Sequence, residues 1–215
     1  MKFRLIYLHF NQTGAIIWMF KEPMNNATKL KEAMDPGRVY RRQDLEGLST
    51  AVDRELKTLV ASNEVRKLSG GLYCRPKPSQ WGALPPDDRE LVRAFLKTDD
   101  FRLTSYNDFN VLGLGLTQVY TVYVVYNHKR AGTFALGGKE FRFRLVPAYP
   151  TGAVVEPEYL LVDMLNNLRR LPDNVELVMR NLKKGVQSFD RAKVLDCLER
   201  YGNPAAKRLL REAYA

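Results

Sequence analysis

Hydrophobic residues in the first third of the chain recur at the helical period in three short runs. The first run places Leu30 and Met34 on one face and stops at an Asp-Pro-Gly sequence, because proline and glycine rarely continue a helix. A short extended segment follows. Residues 41–48 are then expected to form a second helix that directs Leu45 and Leu48 inward.

The third run buries a stripe at i, i+4, i+7 and i+8 from Val52 and leaves its charged residues outside. Ser49 or Thr50 is expected to cap this helix. Residues 64–75 then surround a Ser-Gly-Gly turn, a pattern typical of a β-hairpin. This order of helices and hairpin predicts a winged helix-turn-helix domain at residues 24–78, whose third helix enters the major groove of DNA.

The proline-rich residues 76–86 are expected to be a linker or boundary before a second domain at residues 84–215. That domain has a helical pattern at 87–98 and a Val/Tyr run at 119–126, which is typical of a strand buried on both faces. Residues 139–146 alternate like a half-exposed strand. Four helical segments follow, the last opened by an Asn-Pro pair. The fold class is therefore α+β: a winged helix-turn-helix, then a mixed domain with a small antiparallel sheet and C-terminal helices.

Residues 1–23 fit none of these elements, and two explanations stay open. Either translation begins at Met24, or the segment is a genuine additional strand or arm. Its longest apolar run, residues 15–20, is far shorter than the roughly 20 residues that span a membrane. Polar residues interrupt any signal-peptide core. We therefore expect a cytoplasmic protein.

Basic residues outnumber acidic ones by 34 to 24, a formal net charge of +10. This excess favours a polyanionic partner such as nucleic acid. The two cysteines and two histidines are too scattered for a zinc site or a disulfide framework. This distribution excludes zinc fingers, thiol redox chemistry and Cys-His hydrolysis.

No segment carries a catalytic pattern that can be recognised. The glycine-rich residues 113–118 lack the third glycine of a dinucleotide fingerprint, so a structural turn is expected there. His128 lies in a polar turn and is expected to act as an acid or base only if a carboxylate folds beside it. Cys74 is expected to be a small packing residue. The sequence therefore predicts no enzyme, no cofactor and no metal.

Several segments together resemble the AbiEi-type antitoxins of bacterial type IV toxin–antitoxin, or abortive infection, systems. The matching segments are Gly37-Arg-Val-Tyr40 with Asp44-Leu45, the helix from Val52, the hairpin end Gly71-Leu-Tyr73-Cys-Arg-Pro76, and Asn110-Val-Leu-Gly113-Leu-Gly-Leu-Thr-Gln118. The similarity covers residues 26–150. It departs from the family by an additional Gly-Leu after Leu112 and by Tyr120, where the family often has proline.

The resemblance implies a repressor that binds inverted repeats in its own promoter. It also implies an antitoxin that counteracts a separately encoded nucleotidyltransferase-like toxin, with or without a stable complex, and that is not itself an enzyme. The candidate DNA contacts lie at the start of the second helix, on the third helix and on the hairpin, where no acidic residue occurs between residues 65 and 78. They are Arg41, Arg42, Thr50, Asp53, Arg54, Lys57, Arg66, Lys67, Arg75 and Lys77.

Other interpretations stay open beside this one. The chain is alternatively a protein-interaction module, a winged-helix regulator without a toxin partner, or a nucleic-acid-modifying enzyme whose active site the sequence does not reveal. A second basic group, around Lys139, Arg142 and Arg144, is equally compatible with phosphate contacts, an acidic partner or a solvated sheet face.

Overall fold

The computed structural model describes residues 6–10, 16–20, 25–116, 118–152 and 154–215, with side chains from residue 25 onward. Strands β1 (Ile6–Phe10) and β2 (Ile16–Phe20) pair antiparallel, with Ile6 opposite Phe20. The rest of the N-terminal extension, including Met24, lies outside the described residues.

The following segment folds into two helices and a three-stranded antiparallel sheet of order β3-β5-β4. Asn25 starts the first helix, since its side chain accepts a hydrogen bond from the Thr28 backbone N–H at 2.7 Å. In chain order the elements are α1 (Asn26–Glu32), β3 (Val39–Arg41), a 3₁₀ turn (Arg42–Leu45), α2 (Val52–Ala61), β4 (Arg66–Ser69) and β5 (Leu72–Cys74).

Two expectations for the segment between β3 and α2 are wrong. The N-cap residue is Ala51, which has no side-chain cap, and the Ser49 hydroxyl instead accepts from the Ala51 backbone N–H at 3.0 Å, in the turn before the helix. The second helix is a single 3₁₀ turn that ends at Leu45, so Leu48 falls in the following turn and is 50% exposed.

The proline-rich segment expected as a linker forms a hairpin. Strands β6 (Lys77–Ser79) and β7 (Gly82–Leu84) pair antiparallel, with Ser79 opposite Gly82. The Ser79 hydroxyl closes the turn by donating to the Gly82 carbonyl at 2.6 Å, and Gly82 has a φ of +104° that favours glycine. Proline is compatible with such short strands because their edges are unpaired.

The next part contains α3 (Asp88–Leu96) and a four-stranded sheet of order β10-β11-β9-β8. Its strands are β8 (Phe101–Ser105), β9 (Tyr123–Asn127), β10 (Gly132–Leu136) and β11 (Lys139–Leu145). The β9–β11 pair is parallel and the other pairs are antiparallel, so this sheet is mixed rather than purely antiparallel.

The Val/Tyr run is a strand only in its second half. Residues before Tyr123 are irregular, and Val119 is 84% exposed. In β11 the expected alternation holds for Phe141 and Phe143, which are buried, but Leu145 at the strand end is exposed. The glycine-rich segment follows a 3₁₀ helix (Tyr106–Leu112), and Gly113 ends that helix with a φ of +64°.

Four C-terminal helices complete the chain, as the periodicity predicts. They are α4 (Pro157–Asn167), α5 (Val175–Gly185), α6 (Arg191–Tyr201) and α7 (Pro204–Tyr214). The Asn203-Pro204 pair starts α7 as expected, because the Asn203 side chain accepts from the Ala206 backbone N–H at 2.9 Å. Helix α4 is buried on almost all sides, where it packs against α6, α7 and the 3₁₀ helix Tyr106–Leu112. The fold is thus mixed α+β, with small sheets followed by helices.

The β4–β5 hairpin packs into the body of the molecule. Its side chains Leu68, Leu72 and Cys74 share one hydrophobic cluster with Phe141 and Phe143 of the four-stranded sheet. The Gly137 backbone N–H also donates to the Leu68 carbonyl at 2.9 Å. This hairpin therefore links the two predicted domains. In the described part of the chain, no helix is both long and apolar enough to cross a membrane.

Candidate nucleic-acid interface

Helix α2 separates an apolar inner face from a polar outer face. Leu56 and Leu59 are buried against α1, whereas Arg54 and Lys57 are exposed one turn apart. Neither basic group pairs with a carboxylate among the residues whose side chains are described. The two cations are therefore available to an external partner.

The edge strand β4 and the start of β6 carry the other unpaired cations. Arg66 and Lys67 lie on β4, which is an edge strand of its sheet in the described part of the chain, and Lys77 begins β6. All three side chains are exposed, and none forms an ion pair within the described ranges. No acidic residue occurs between residues 65 and 86, so this stretch of the chain carries positive charge only.

Arg42 and Asp53, both predicted to contact DNA, are bonded to each other. The Arg42 Nε and Nη2 groups donate to the two Asp53 carboxylate oxygens at 2.6 and 2.7 Å, and Arg42 also contacts Glu46. These hydrogen bonds hold the pKa of Asp53 below its ordinary value of 3.8. The pair joins the 3₁₀ turn to the first turn of α2, which orients the outer face of that helix.

Arg41 and Arg75 are also occupied by internal partners. Arg41 Nε donates to the Ala94 carbonyl of α3 at 2.6 Å. Arg75 Nη1 donates to the carbonyls of Lys31 and Met34 at 3.1 and 3.2 Å, at the end of α1. Both are thus placed as structural cross-links. The remaining candidates are exposed: Thr50, Arg54, Lys57, Arg66, Lys67 and Lys77.

Trp81 is a residue that sequence reasoning did not select. It lies at the tip of the β6–β7 hairpin and is 88% exposed, next to a strand that carries Lys77. Tryptophan is highly buried on average, so a side chain this exposed is available to a partner. The available signal was a tryptophan inside a turn between prolines, which the linker interpretation overlooked.

The basic residues on β11 of the four-stranded sheet have internal partners. Lys139 pairs with Asp88 at 2.7 Å, and the Arg142 guanidinium lies 3.7 Å from the Glu140 carboxylate. Arg144 contacts the Asn167 side chain. This face is therefore less suited to phosphate contacts than the cations of α2, β4 and β6.

His128 has the neighbour that the sequence analysis required of an acid–base residue. Its Nδ1 lies 2.9 Å from an Asp100 carboxylate oxygen, and the Tyr149 hydroxyl donates to the other oxygen at 2.7 Å. The hydrogen bond raises the pKa of His128 above 6.5 and lowers that of Asp100. The polar turn expected at His128 is confirmed, since the side chain follows the end of β9 and is 46% exposed. The carboxylate beside it could not be predicted, because Asp100 meets His128 only through the fold.

Cys74 is 1% exposed and packs in the apolar cluster under the hairpin, as expected. Burial raises the pKa of its thiol, which disfavours the nucleophilic thiolate. In the part of the chain that the structure describes, no three histidine, cysteine or acidic residues converge in a way that could hold a metal ion.

The architecture is mixed α+β, and exposed cations lie on α2, β4 and β6 near its N-terminal end. No protein-family model matches the sequence, and no curated protein matches it. The structure is similar to the crystal structure of the Rv2827c protein from Mycobacterium tuberculosis, with a TM-score of 0.55 and 16% sequence identity. The similarity covers 88% of this chain and 77% of that one, and it concerns the fold alone.

Proposed function

We propose that the N-terminal unit is a winged helix-turn-helix that binds double-stranded DNA and that the protein is a transcriptional repressor. The observation that carries this proposal is a set of five exposed cations on α2, β4 and β6 that lack a carboxylate partner among the described residues. They are Arg54, Lys57, Arg66, Lys67 and Lys77. Other exposed cations, such as Arg180 and Lys183 on α5, also lack a carboxylate partner among the described residues. What distinguishes the five is their position on the outer face of α2, on the edge strand β4 and at the start of β6, where they suit an external polyanion.

In this proposal α2 is the recognition helix. Its outer face offers Arg54, which can donate two hydrogen bonds to a guanine, and Lys57. The Arg42–Asp53 pair acts indirectly, since it fixes the preceding turn against α2. Arg66 and Lys67 on the edge strand contact phosphates, which position the protein without reading sequence.

The β6–β7 hairpin is the element that we assign as the protruding wing. The β4–β5 hairpin is packed into the core, whereas all three residues of β7 and the intervening Trp81 are exposed. Lys77 supplies charge at the base of the hairpin, and Trp81 supplies an aromatic surface at its tip. We therefore expect Trp81→Ala to weaken DNA binding without lowering the melting temperature.

The proposed biological role follows from the family resemblance in sequence. We propose that the protein represses its own operon by binding inverted promoter repeats, and that it counteracts a nucleotidyltransferase-like toxin. The second domain is assigned to the antitoxin role. The competing proposal, a regulator without a toxin, makes the same prediction for DNA binding and differs only in the absence of protection in a toxicity assay.

A titration on the DNA upstream of the gene, against a shuffled duplex, tests DNA binding. We expect binding at least ~10³-fold tighter to the upstream DNA. Arg54→Ala is expected to reduce this preference, because a base contact is lost. Arg180→Ala, which removes an exposed arginine of α5, is the matched control and leaves binding unchanged. Equal, weak binding of both duplexes by the wild-type protein would contradict the proposal.

A further inference from the structure

A cleft of about 610 Å³ opens between the four-stranded sheet and the helices α4 and α6. This volume is within the range of sites that hold small molecules, roughly 300–1,000 Å³. Tyr126, Asp163 and Asn167 form its buried floor, while Arg144, Arg170 and Arg200 lie around it. The cleft is separate from the cations of the proposed DNA interface.

The floor contains a hydrogen-bonded network in which one acceptor oxygen has no donor. The Tyr126 hydroxyl donates to Asp163 Oδ1 at 2.8 Å, and Asn167 Nδ2 donates to the same oxygen at 3.0 Å. The other oxygen, Asp163 Oδ2, is buried and has no hydrogen-bond partner among the described residues. Asp163 as a whole is only 4% exposed.

An unpartnered carboxylate oxygen in the interior is costly, since it has lost water and gained no donor. Nearby positive charge compensates only in part, because Arg102 directs one of its terminal N–H groups to the backbone carbonyls of Pro150 and Gly152. Asp163 lines the cleft, but Oδ2 itself has almost no exposed surface, so a donor group of a bound molecule completes the network only when the carboxyl group turns toward the cleft.

The rim of the cleft carries positive charge, in contrast to the carboxyl group of its floor. Arg170 is exposed, and its only hydrogen bond within the described structure goes to the Asn166 carbonyl at 3.3 Å. Arg200 is exposed and paired with Asp196 at 3.3 Å, a weak surface contact. Glu199 is the single acidic lining residue besides Asp163, so the rim attracts anions.

Aromatic side chains form part of the wall. The Tyr159 and Tyr201 rings meet edge to face, with their centroids 5.3 Å apart. Both line the cleft, as does the Tyr126 hydroxyl of the network. A matching ligand therefore has an anionic end, a planar apolar part and a hydrogen-bond donor.

We propose that this cleft binds a nucleotide. Arg170 and Arg200 at the rim bind the phosphates, and the tyrosines contact the base. Asp163, with its carboxyl group turned toward the cleft, accepts a hydrogen bond from a base amino group or a ribose hydroxyl. The site does not depend on the proposed DNA-binding function, because it shares no residue with that interface.

Isothermal titration calorimetry of the full chain with ATP, GTP, CTP and UTP tests the proposal. We expect one-to-one binding of at least one of them with a Kd below 1 mM, about −4 kcal/mol. Adenosine or guanosine alone, and tripolyphosphate alone, are each expected to bind at least about tenfold more weakly, because each satisfies only one part of the cleft. No binding of any of the four nucleotides below 1 mM would overturn the proposal.

Variants locate the binding site. Asp163→Asn replaces the acceptor oxygen by a group of the same shape and is expected to weaken binding at least about tenfold. Arg170→Gln, a surface change that leaves folding intact, is expected to weaken it severalfold. Arg180→Gln is the matched control. Unchanged affinity in the Arg170 variant, together with unchanged affinity in any folded Asp163 variant, would place the nucleotide elsewhere and overturn the proposal.

Discussion

The carboxyl group of Asp163 is surrounded by protein, and this burial raises its pKa from 3.8 to about 6. The Tyr126 hydroxyl and the nearby guanidinium groups of Arg102 and Arg144 oppose the shift without cancelling it. The folded state therefore binds this proton more tightly than the unfolded state does. As a result, the contribution of Asp163 to stability falls as pH rises from about 4 to about 6.

Asp163→Asn removes this titration, so we expect the stability of the variant relative to wild type to increase with pH. The gain between pH 4 and pH 7 is on the order of 2–3 kcal/mol, from about two pKa units. Urea unfolding of both proteins at pH 4, 5.5 and 7 measures it. Because the other titrating groups are common to both proteins, parallel stability profiles would show that Asp163 is not the titrating group.

The His128–Asp100 contact makes a second prediction at the residue scale. Asp100 raises the pKa of His128, so this contact stabilises the folded state below about pH 6.5, and the contribution is lost as pH rises through the raised pKa. Asp100→Asn should lower the titration midpoint of His128 toward 6.5 in an NMR pH titration. The chain has one other histidine, His9, so His9→Gln assigns the signal. An unchanged midpoint would show that the contact is absent in solution.

At the scale of single elements, α2 contains an unusual buried group. Glu55 is only 3% exposed, and both its carboxylate oxygens lack a hydrogen-bond partner among the described side chains and backbone. Its position in the first turn gives it some stabilisation from the helix dipole, which is too small to replace hydrogen bonds.

Glu55→Met keeps the length of the side chain and removes the uncompensated carboxylate. We expect the free energy of unfolding to rise by about 1–3 kcal/mol at pH 7, measured by urea unfolding. Lys57→Met on the exposed face of the same helix is the control, and its effect should stay within about 0.5 kcal/mol. A loss of stability in the Glu55 variant would indicate that this carboxylate has a partner in solution.

The elements also show which features sequence reasoning can reach. Helices such as α7 were predictable because the signal, Asn203 followed by Pro204 and an apolar period, is local. The cross-links of Arg41 and Arg75 were not predictable, because their partners are far away in the chain. The partner of Arg41 lies 53 residues away, and the two partners of Arg75 lie 44 and 41 residues away. Those two side chains look like phosphate contacts in sequence, and only the packing of α1 and α3 shows how they are used.

The candidate site was predictable to a similar extent. Exposed cations on a helix with an apolar stripe, such as Arg54, follow from periodicity alone. The β6–β7 hairpin was not predictable from the sequence, because prolines are disfavoured in strands and its turn depends on a hydrogen bond from the Ser79 hydroxyl. The Asp163 cleft brings together distant segments, and periodicity indicates only that α4 is buried, not which of its polar residues faces a cavity.

At the scale of the whole molecule, the net charge of +10 offers a simpler explanation for any DNA binding, namely general attraction. In that case every exposed lysine or arginine contributes alike, wherever it lies. If instead Arg66, Lys67 and Lys77 contact phosphates while Arg54 contacts a base, the plot of log K against log salt concentration should have a slope of roughly −2.7, from about −0.9 per phosphate contact.

Single substitutions separate the two explanations. Lys67→Ala on β4 is expected to reduce the magnitude of the slope by about 0.9 and to weaken binding of all sequences alike, because one phosphate contact is lost. Arg180→Ala makes the same change in net charge on α5 and is expected to leave the slope unchanged. Fluorescence anisotropy at four salt concentrations measures both. Equal effects of the two variants would mean that the charge acts as a whole, and the repressor proposal would then lose its main support.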